Sequence, residues 1–419
     1  MAAESPWGVG LPGVVGHSGH PSGAQVARTP SQICEHLAMT GADRAGIFLA
    51  TPDNPPGGVR LAVKDLFDTA GLTTTYGSVI FRDNVPERTA TAVTLLERAG
   101  YANVGKTNLH EFAYGITSEN AHFGTVPNPI ASGRIAGGSS GGNAAALAAG
   151  LAEAALGSDS GGSIRIPSAC CGTVGFKPTY GRLPLDGCFP LAPSFDHAGP
   201  MARDVAGCEQ MMRALMPGLV TTTVDNLDAV RIGVAWTGFA HPLVCARVEA
   251  AAALFPRRGR LQLPFATETY SVFAREVAQV HADLWAEHRD SYSPDLATKV
   301  ERAMRVTDAD HEAAERARER YREHVAELSA AFDLILTPTL PRVAPPTGIG
   351  DLKLRDELIR FTYPFNAIGA PALALPCGPA EDGLPASVQL VGPPGADALV
   401  LAVGAALERA LAEAHATGG

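Results

Sequence analysis

Two glycine-rich loops hold serines in settings that suit nucleophilic chemistry. The run Gly157-Ser158-Asp159-Ser160-Gly161-Gly162-Ser163-Ile164-Arg165 puts a serine directly behind two glycines. Glycines there leave consecutive backbone N–H groups exposed, and such donors can hold a developing oxyanion, each worth about 3 to 4 kcal/mol. A serine hydroxyl is too weakly acidic to attack an amide unaided, so it needs a base. A second loop, Gly137-Gly138-Ser139-Ser140-Gly141-Gly142, supplies two more hydroxyls. Lysine occurs only at Lys64, Lys106, Lys177, Lys299 and Lys353, and that scarcity draws attention to Lys64 at the end of an apolar segment.

Each feature also has a blander reading. A Gly/Ser loop is most often a turn, and the first loop could equally cradle a phosphate at a helix N-terminus, although no Lys-Ser/Thr pair follows it as a P-loop requires. Gly137, Ser139 and Gly141 also satisfy G-x-S-x-G, the nucleophile elbow of α/β hydrolases. An elbow needs a hydrophobic strand running into the serine, whereas residues 128–135 include Pro129, Ser132, Gly133 and Arg134. Asp196 and His281 would have to complete such a triad, with nothing around them that suggests the task. Lys64 could snorkel from an edge strand or pair with Asp65 or Asp68. Lys106 and Lys177 read as structural pairs or caps, Asp159 and Arg165 as hydrogen-bonded braces of their loop, and His197 as a surface or packing residue. Cys170 and Cys171 read as small apolar groups lining a pocket, because a thiol nucleophile needs an activating partner.

The elements that must position these groups follow from hydrophobic period and breakers. Residues 58–67 alternate as a strand, with Val59, Leu61 and Val63 on one face and Arg60, Ala62 and Lys64 on the other. Residues 89–99 have helical spacing and stop at Gly100, and residues 101–105 suggest a short buried strand. The Ala- and Leu-rich run 142–156 is predicted as one helix buried on most faces, bracketed by the two serine loops. Beyond Pro200 the pattern predicts an Ala-rich helix, a strand at 230–235 and a charged helical region over 272–331 that breaks at Pro294. Strands at 334–336, 371–376 and 386–391 follow, then an amphipathic helix over 397–411 with Asp397 as N-cap.

Composition bounds the rest. The 419 residues are 46% hydrophobic and 18% charged, enough to bury a large core. A formal charge of -10, with acidic and basic residues interleaved, gives no reason to expect nucleic acid or an anionic membrane as partner. Seven scattered cysteines without zinc-ligand spacing point to a reducing compartment and no metal. The start has no basic segment leading into an apolar stretch, and no run reaches the ~18 apolar residues of a membrane span. Cytoplasmic location is the resulting expectation. Residues 1–28, interrupted by Gly10, Gly13, Gly16, Gly19 and Gly23, read as a loose arm, and residues 31–39 as a short helix.

The chain resembles the amidase signature family. The matching stretches are Val63-Lys64-Asp65, Gly105-Lys106-Thr107-Asn108, Glu111-Phe112, both serine loops, residues 172–181 around Gly175-Phe176-Lys177-Pro178-Thr179, Gly199-Pro200, Leu336-Thr337-Pro338-Thr339, and Pro364-Phe365-Asn366 leading to Pro371. They run from about residue 56 to 411 and are densest over 137–181. The resemblance implies one large α/β domain over 29–419, with a mixed, mostly parallel central sheet covered by helices, a signature core at 56–205 and a substrate-shaping helical region at about 240–330. It implies Ser163 as nucleophile, Ser139 as bridging serine behind a cis Gly138–Ser139 bond, and Lys64 as base. Backbone donors at Ser160, Gly161, Gly162 and Ser163 form the implied oxyanion site, supported by Gly138, Ser140, Asp159 and Arg165. The function so implied is cleavage of a small carboxylic amide through an acyl-enzyme, without cofactor or metal. The implied partner is the small-molecule amide alone, with a homodimer left open. Two alternatives stand beside it: the glutaminase subunit of a tRNA-dependent amidotransferase, which typically carries glutamine where this chain has Ile166, and an inactive binding protein of the same fold. Val272, Trp285 and Phe361 are candidate pocket residues that do not identify a substrate.

Overall fold

The computed structural model describes residues 46–55 and 57–417, all within one compact unit, Met39–Gly419. The arm predicted over 1–28 and the helix over 31–39 lie outside the described residues. The strands are β1 (Phe48–Ala50), β2 (Val59–Lys64), β3 (Tyr101–Thr107), β4 (Glu119–Asn120), β5 (Gly124–Thr125), β6 (Ala154–Ser158), β7 (Val174–Lys177), β8 (Ala198–Ala202), β9 (Ile232–Val234), β10 (Arg258–Arg260), β11 (Leu334–Pro338), β12 (Ala372–Pro379) and β13 (Pro385–Val391). Apart from the β4–β5 hairpin, they form one mixed sheet of 11 strands in the order β1-β3-β2-β6-β8-β7-β12-β13-β11-β9-β10. Parallel pairing joins β3-β2-β6 and β11-β9-β10, and antiparallel pairing joins the middle strands and adds β1 at the β3 edge.

Strand alternation divides the core between the two faces of this sheet. Leu61 and Val63 of β2 and Leu156 of β6 join a large cluster with Met211, Met212, Val400 and Leu407. Those last four come from the helices Val205–Leu215 and Asp397–Thr417. Ala62 and Ala155, one residue out of phase, join Ala144, Ala145, Leu147 and Ile164 in a second cluster. Lys64 shares the parity of Ala62. The lysine is therefore aimed at the side where the helix Gly141–Ala148 and the second serine loop lie, and with strands on both sides of β2 it is fully buried.

One predicted element is corrected. The run 142–156 is two elements, the helix Gly141–Ala148 and strand β6. Gly150 takes φ +70, the left-handed conformation that ends helices at low cost. The residues after it are apolar on both faces because β6 sits inside the sheet, and burial on all sides looks alike in helix and strand. The charged region resolves into helices Tyr270–His288, Pro294–Ala303 and Asp308–Ser329, with Pro294 at a helix start, where a missing N–H costs nothing. Asp397 stands at the start of the last helix, but its carboxylate accepts from Thr179 N (2.8 Å) and Oγ1 (2.6 Å), tying that helix to the segment after β7.

Candidate active site

β2 and β6 run parallel, with Val63 opposite Leu156, so their carboxyl ends emerge at the same edge of the sheet. Lys64 ends one strand and Ser158 the other. The crevice beyond the carboxyl ends of such strands is where open α/β sheets bind ligands. There the Lys64 amine donates to Ser139 Oγ at 2.7 Å and to Ser158 Oγ at 2.8 Å. Burial pulls its pKa from the ordinary 10.5 down to about 7, against Cys188, Asp159 and Asp196, which hold it up. A neutral amine within hydrogen-bond reach of a hydroxyl can take its proton.

The Gly138–Ser139 peptide is cis. Ser139 O accepts from His110 N and from Ser118 Oγ, each at 3.3 Å, and Ser118 Oγ in turn accepts from Gly141 N at 3.2 Å. Ser140 joins the two loops: its N–H donates to Ser163 O at 3.1 Å and its hydroxyl to Ser158 O at 3.2 Å. Ser163, 7% exposed, is thus held against the first loop through its backbone.

A buried ion pair shapes the second loop. Arg165 donates to Asp159 from Nε (3.0 Å) and Nη2 (2.9 Å), and both side chains are fully buried. Burial alone would raise the Asp159 pKa, but Arg165 holds the carboxyl well below the usual range. Asp159 also accepts from Gly162 N at 2.8 Å and Ile164 N at 3.1 Å. Gly162 is thereby removed from the expected oxyanion donors, because its N–H points at the carboxylate that bends the loop. The backbone N–H groups of Ser160, Gly161 and Ser163 are not drawn to that carboxylate. Gly162 takes φ +133, and a Cβ there would lie 2.3 Å from Thr362 Oγ1. Arg165 continues to Thr362 O, Gln389 Oε1 and Asn366 Oδ1, which anchors the loop to β13 and to the short helix Tyr363–Ala367.

The remaining candidates take structural positions. Lys106 pairs with Asp65 at 3.1 Å, both fully buried. Lys177 donates to two backbone carbonyls and faces His197 Nε2 at 3.2 Å, and His197 is buried. Asp196 accepts from Ser160 Oγ at 2.5 Å, while His281 Nδ1 meets Tyr292 OH at 2.9 Å inside an aromatic cluster with Phe112. Neither side chain joins Ser139, so these two complete no elbow triad with it. Cys170 and Cys171 are buried and burial pushes both thiols up. Trp285 packs on Tyr292 and Phe361 on Trp236. Among the described residues no group of three or more His, Cys, Asp or Glu is placed to hold a metal, and no helix is long and apolar enough to cross a membrane. Sequence reasoning assigned no role to Ser118, Ser158, Thr362 or Gln389. Ser158 had a signal, since it closes an apolar strand as Lys64 does; Ser118 and Gln389 had none.

Comparison with known proteins agrees with this geometry. The Amidase family model matches residues 32–259 and 268–401. AtzE of Pseudomonas sp. (strain ADP), one chain of a 1-carboxybiuret hydrolase, is 35% identical over 384 residues, covering 84% of each chain. A glutamyl-tRNA(Gln) amidotransferase subunit from Methanospirillum hungatei JF-1 is 34% identical, covering 81% of this chain and 90% of its own. A solved structure described as an amidase superposes with TM-score 0.78 at 36% identity, covering 84% of each chain. The chain belongs to the amidase signature family, hydrolases of carbon–nitrogen bonds.

Proposed function

We propose that this protein is a serine amidohydrolase that cleaves a small carboxylic amide through an acyl-enzyme on Ser163. The observation that carries the reading is the fully buried Lys64 amine, 2.7 Å from Ser139 Oγ, with its pKa lowered to about 7. Neutral Lys64 accepts the Ser139 proton as Ser139 accepts the Ser163 proton, and Ser163 Oγ attacks the amide carbonyl. The oxyanion is held by backbone N–H groups of Ser160, Gly161 and Ser163. Ser139 then returns a proton to the amide nitrogen, the C–N bond breaks, and ammonia or an amine departs. Water attacks the acyl-enzyme with the relay run again, releasing the acid and free Ser163.

A panel of aliphatic, aromatic, cyclic and urea-like amides, with Ser163→Ala as control, tests this. Turnover that vanishes in the control is the expected result. An active-site label that settles on any residue but Ser163 overturns the assignment, and no turnover across the whole panel favours a binding protein of the same fold. The similarity to an amidotransferase component supports a second reading, ammonia release from glutamine for a partner protein. Ile166, in place of glutamine at the start of the helix Arg165–Cys171, argues against it. Glutamine hydrolysis that appears only with a second protein would favour it.

A further inference from the structure

We infer that a cavity beside Lys64 is the leaving-group site and takes the apolar N-substituent of a secondary amide, about the size of a six-carbon ring. This rests on the relay proposed above. In that relay the departing nitrogen receives its proton from Ser139, which is backed by Lys64. The nitrogen must therefore leave on the Lys64 side of Ser163, and whatever it carries extends in that direction.

A cavity of about 170 Å³ adjoins the Lys64–Ser158 contact. Two serines of the second loop, Ser158 and Ser160, form part of its wall, and Ser158 is the hydroxyl 2.8 Å from the Lys64 amine. Cys188 is in the same wall. The rest is largely apolar: Leu66, Leu185, Phe189 and Leu191, with two prolines.

Polar groups in the wall are already engaged. Asp196 accepts from Ser160 Oγ at 2.5 Å, from Leu191 N at 2.9 Å and from Ala192 N at 3.2 Å. The carboxylate's hydrogen bonds are thus satisfied within the wall, the remaining lining is mostly apolar, and the occupant that fits it is apolar. An apolar cavity of about 150 Å³ takes one benzene ring, which sets the size. Ammonia would leave this space unused, whereas an anilide or N-butyl amide fills it. The balanced reaction is amide plus water to acid plus the primary amine, with the C–N bond broken and the Ser139 proton delivered to nitrogen.

The test compares a primary amide with its N-phenyl amide, both built on the acyl group turned over fastest in the panel. Wild-type kcat/KM for the anilide should equal or exceed that for the primary amide. Filling the cavity with Leu185→Trp should lower anilide turnover about tenfold or more while leaving the primary amide within about threefold. Equal losses on both substrates, or no loss on either, overturn the inference while leaving the relay intact. Should Leu185→Trp fail to fold by circular dichroism, Leu185→Ala, which enlarges the site, must shift preference toward an N-naphthyl amide by about fivefold; an unchanged ratio overturns it. If no amide is turned over, the proposed function fails instead. Calorimetric titration with aniline then decides the cavity: binding lost in Leu185→Trp supports the site, and no binding to the wild type overturns it.

Discussion

The charge state of Lys64 gives the most direct test of the relay. Burial lowers its pKa from 10.5 to about 7, which raises the neutral fraction at pH 7 from about one in 3,000 to about one half. Only the neutral amine can accept the Ser139 proton. The expected kcat/KM for an uncharged primary amide therefore falls about tenfold for each pH unit below 7, and it gains only about twofold above that pH before a plateau. The profile is read on free enzyme between about pH 5 and 9. Lys64→Met keeps the apolar stem and removes the base, with an expected loss of about 10² to 10⁴ in rate. A second readout is stability. The folded pKa lies below the unfolded one, so the unfolded chain binds more protons between them and stability rises with pH in that window. Wild type should gain about 1.4 kcal/mol per pH unit over Lys64→Met between about pH 7.5 and 9.5. A rate profile that is flat from about pH 5.5 to 8, or one that turns near 10, refutes the reasoning.

Ser163→Ala should leave the denaturation midpoint close to wild type while removing covalent labelling by a serine-directed sulfonyl fluoride; label recovered elsewhere by peptide mass spectrometry contradicts the assigned nucleophile. Asp159→Asn leaves Arg165 buried beside a neutral amide, and breaking a buried pair in this way costs about 3 to 5 kcal/mol. Urea unfolding should show that loss, and a change under about 1 kcal/mol would mean the ion pair does not hold the loop. Gly162→Ala puts a Cβ 2.3 Å from Thr362 Oγ1 at φ +133. Because the loop must shift to admit it, kcat should drop about 100-fold or more with secondary structure retained by circular dichroism, and wild-type kcat would show that the loop's shape is not needed.

The site was more legible than the elements that carry it. Lys64 could be assigned a strand face because apolar and polar residues alternate from Val59 to Lys64, and a period of two survives in any strand with one distinguishable side. Residues 142–156 had no such signal. Helix and strand there are both largely buried, so alanines and leucines fill all but Gly142, Asn143, Gly150 and Glu153 and the period disappears; Gly150 marks the change. The carboxylate of Asp159 was readable as a brace of its own loop, but not as the acceptor that occupies Gly162 N–H, since one dihedral decides where that donor points. Ser118, Gln389 and Thr362 could not be found at all: each meets the loops from far along the chain.

Local chemistry is what the sequence alone determined. Glycines before Ser163, hydroxyls at Ser139 and Ser140, and a lysine closing an apolar strand are properties of short segments, and a short segment carries its own turn and strand preferences. Tertiary structure decided which of those groups meet and how deeply they are buried. Parallel pairing of β2 with β6 brings Lys64 to within 2.8 Å of Ser158, 94 residues away, and complete burial turns an ordinary ammonium into an amine that is half neutral at about pH 7. Burial depends on everything packed around a residue, from strands on both sides to a helix above, and no window of sequence contains that sum.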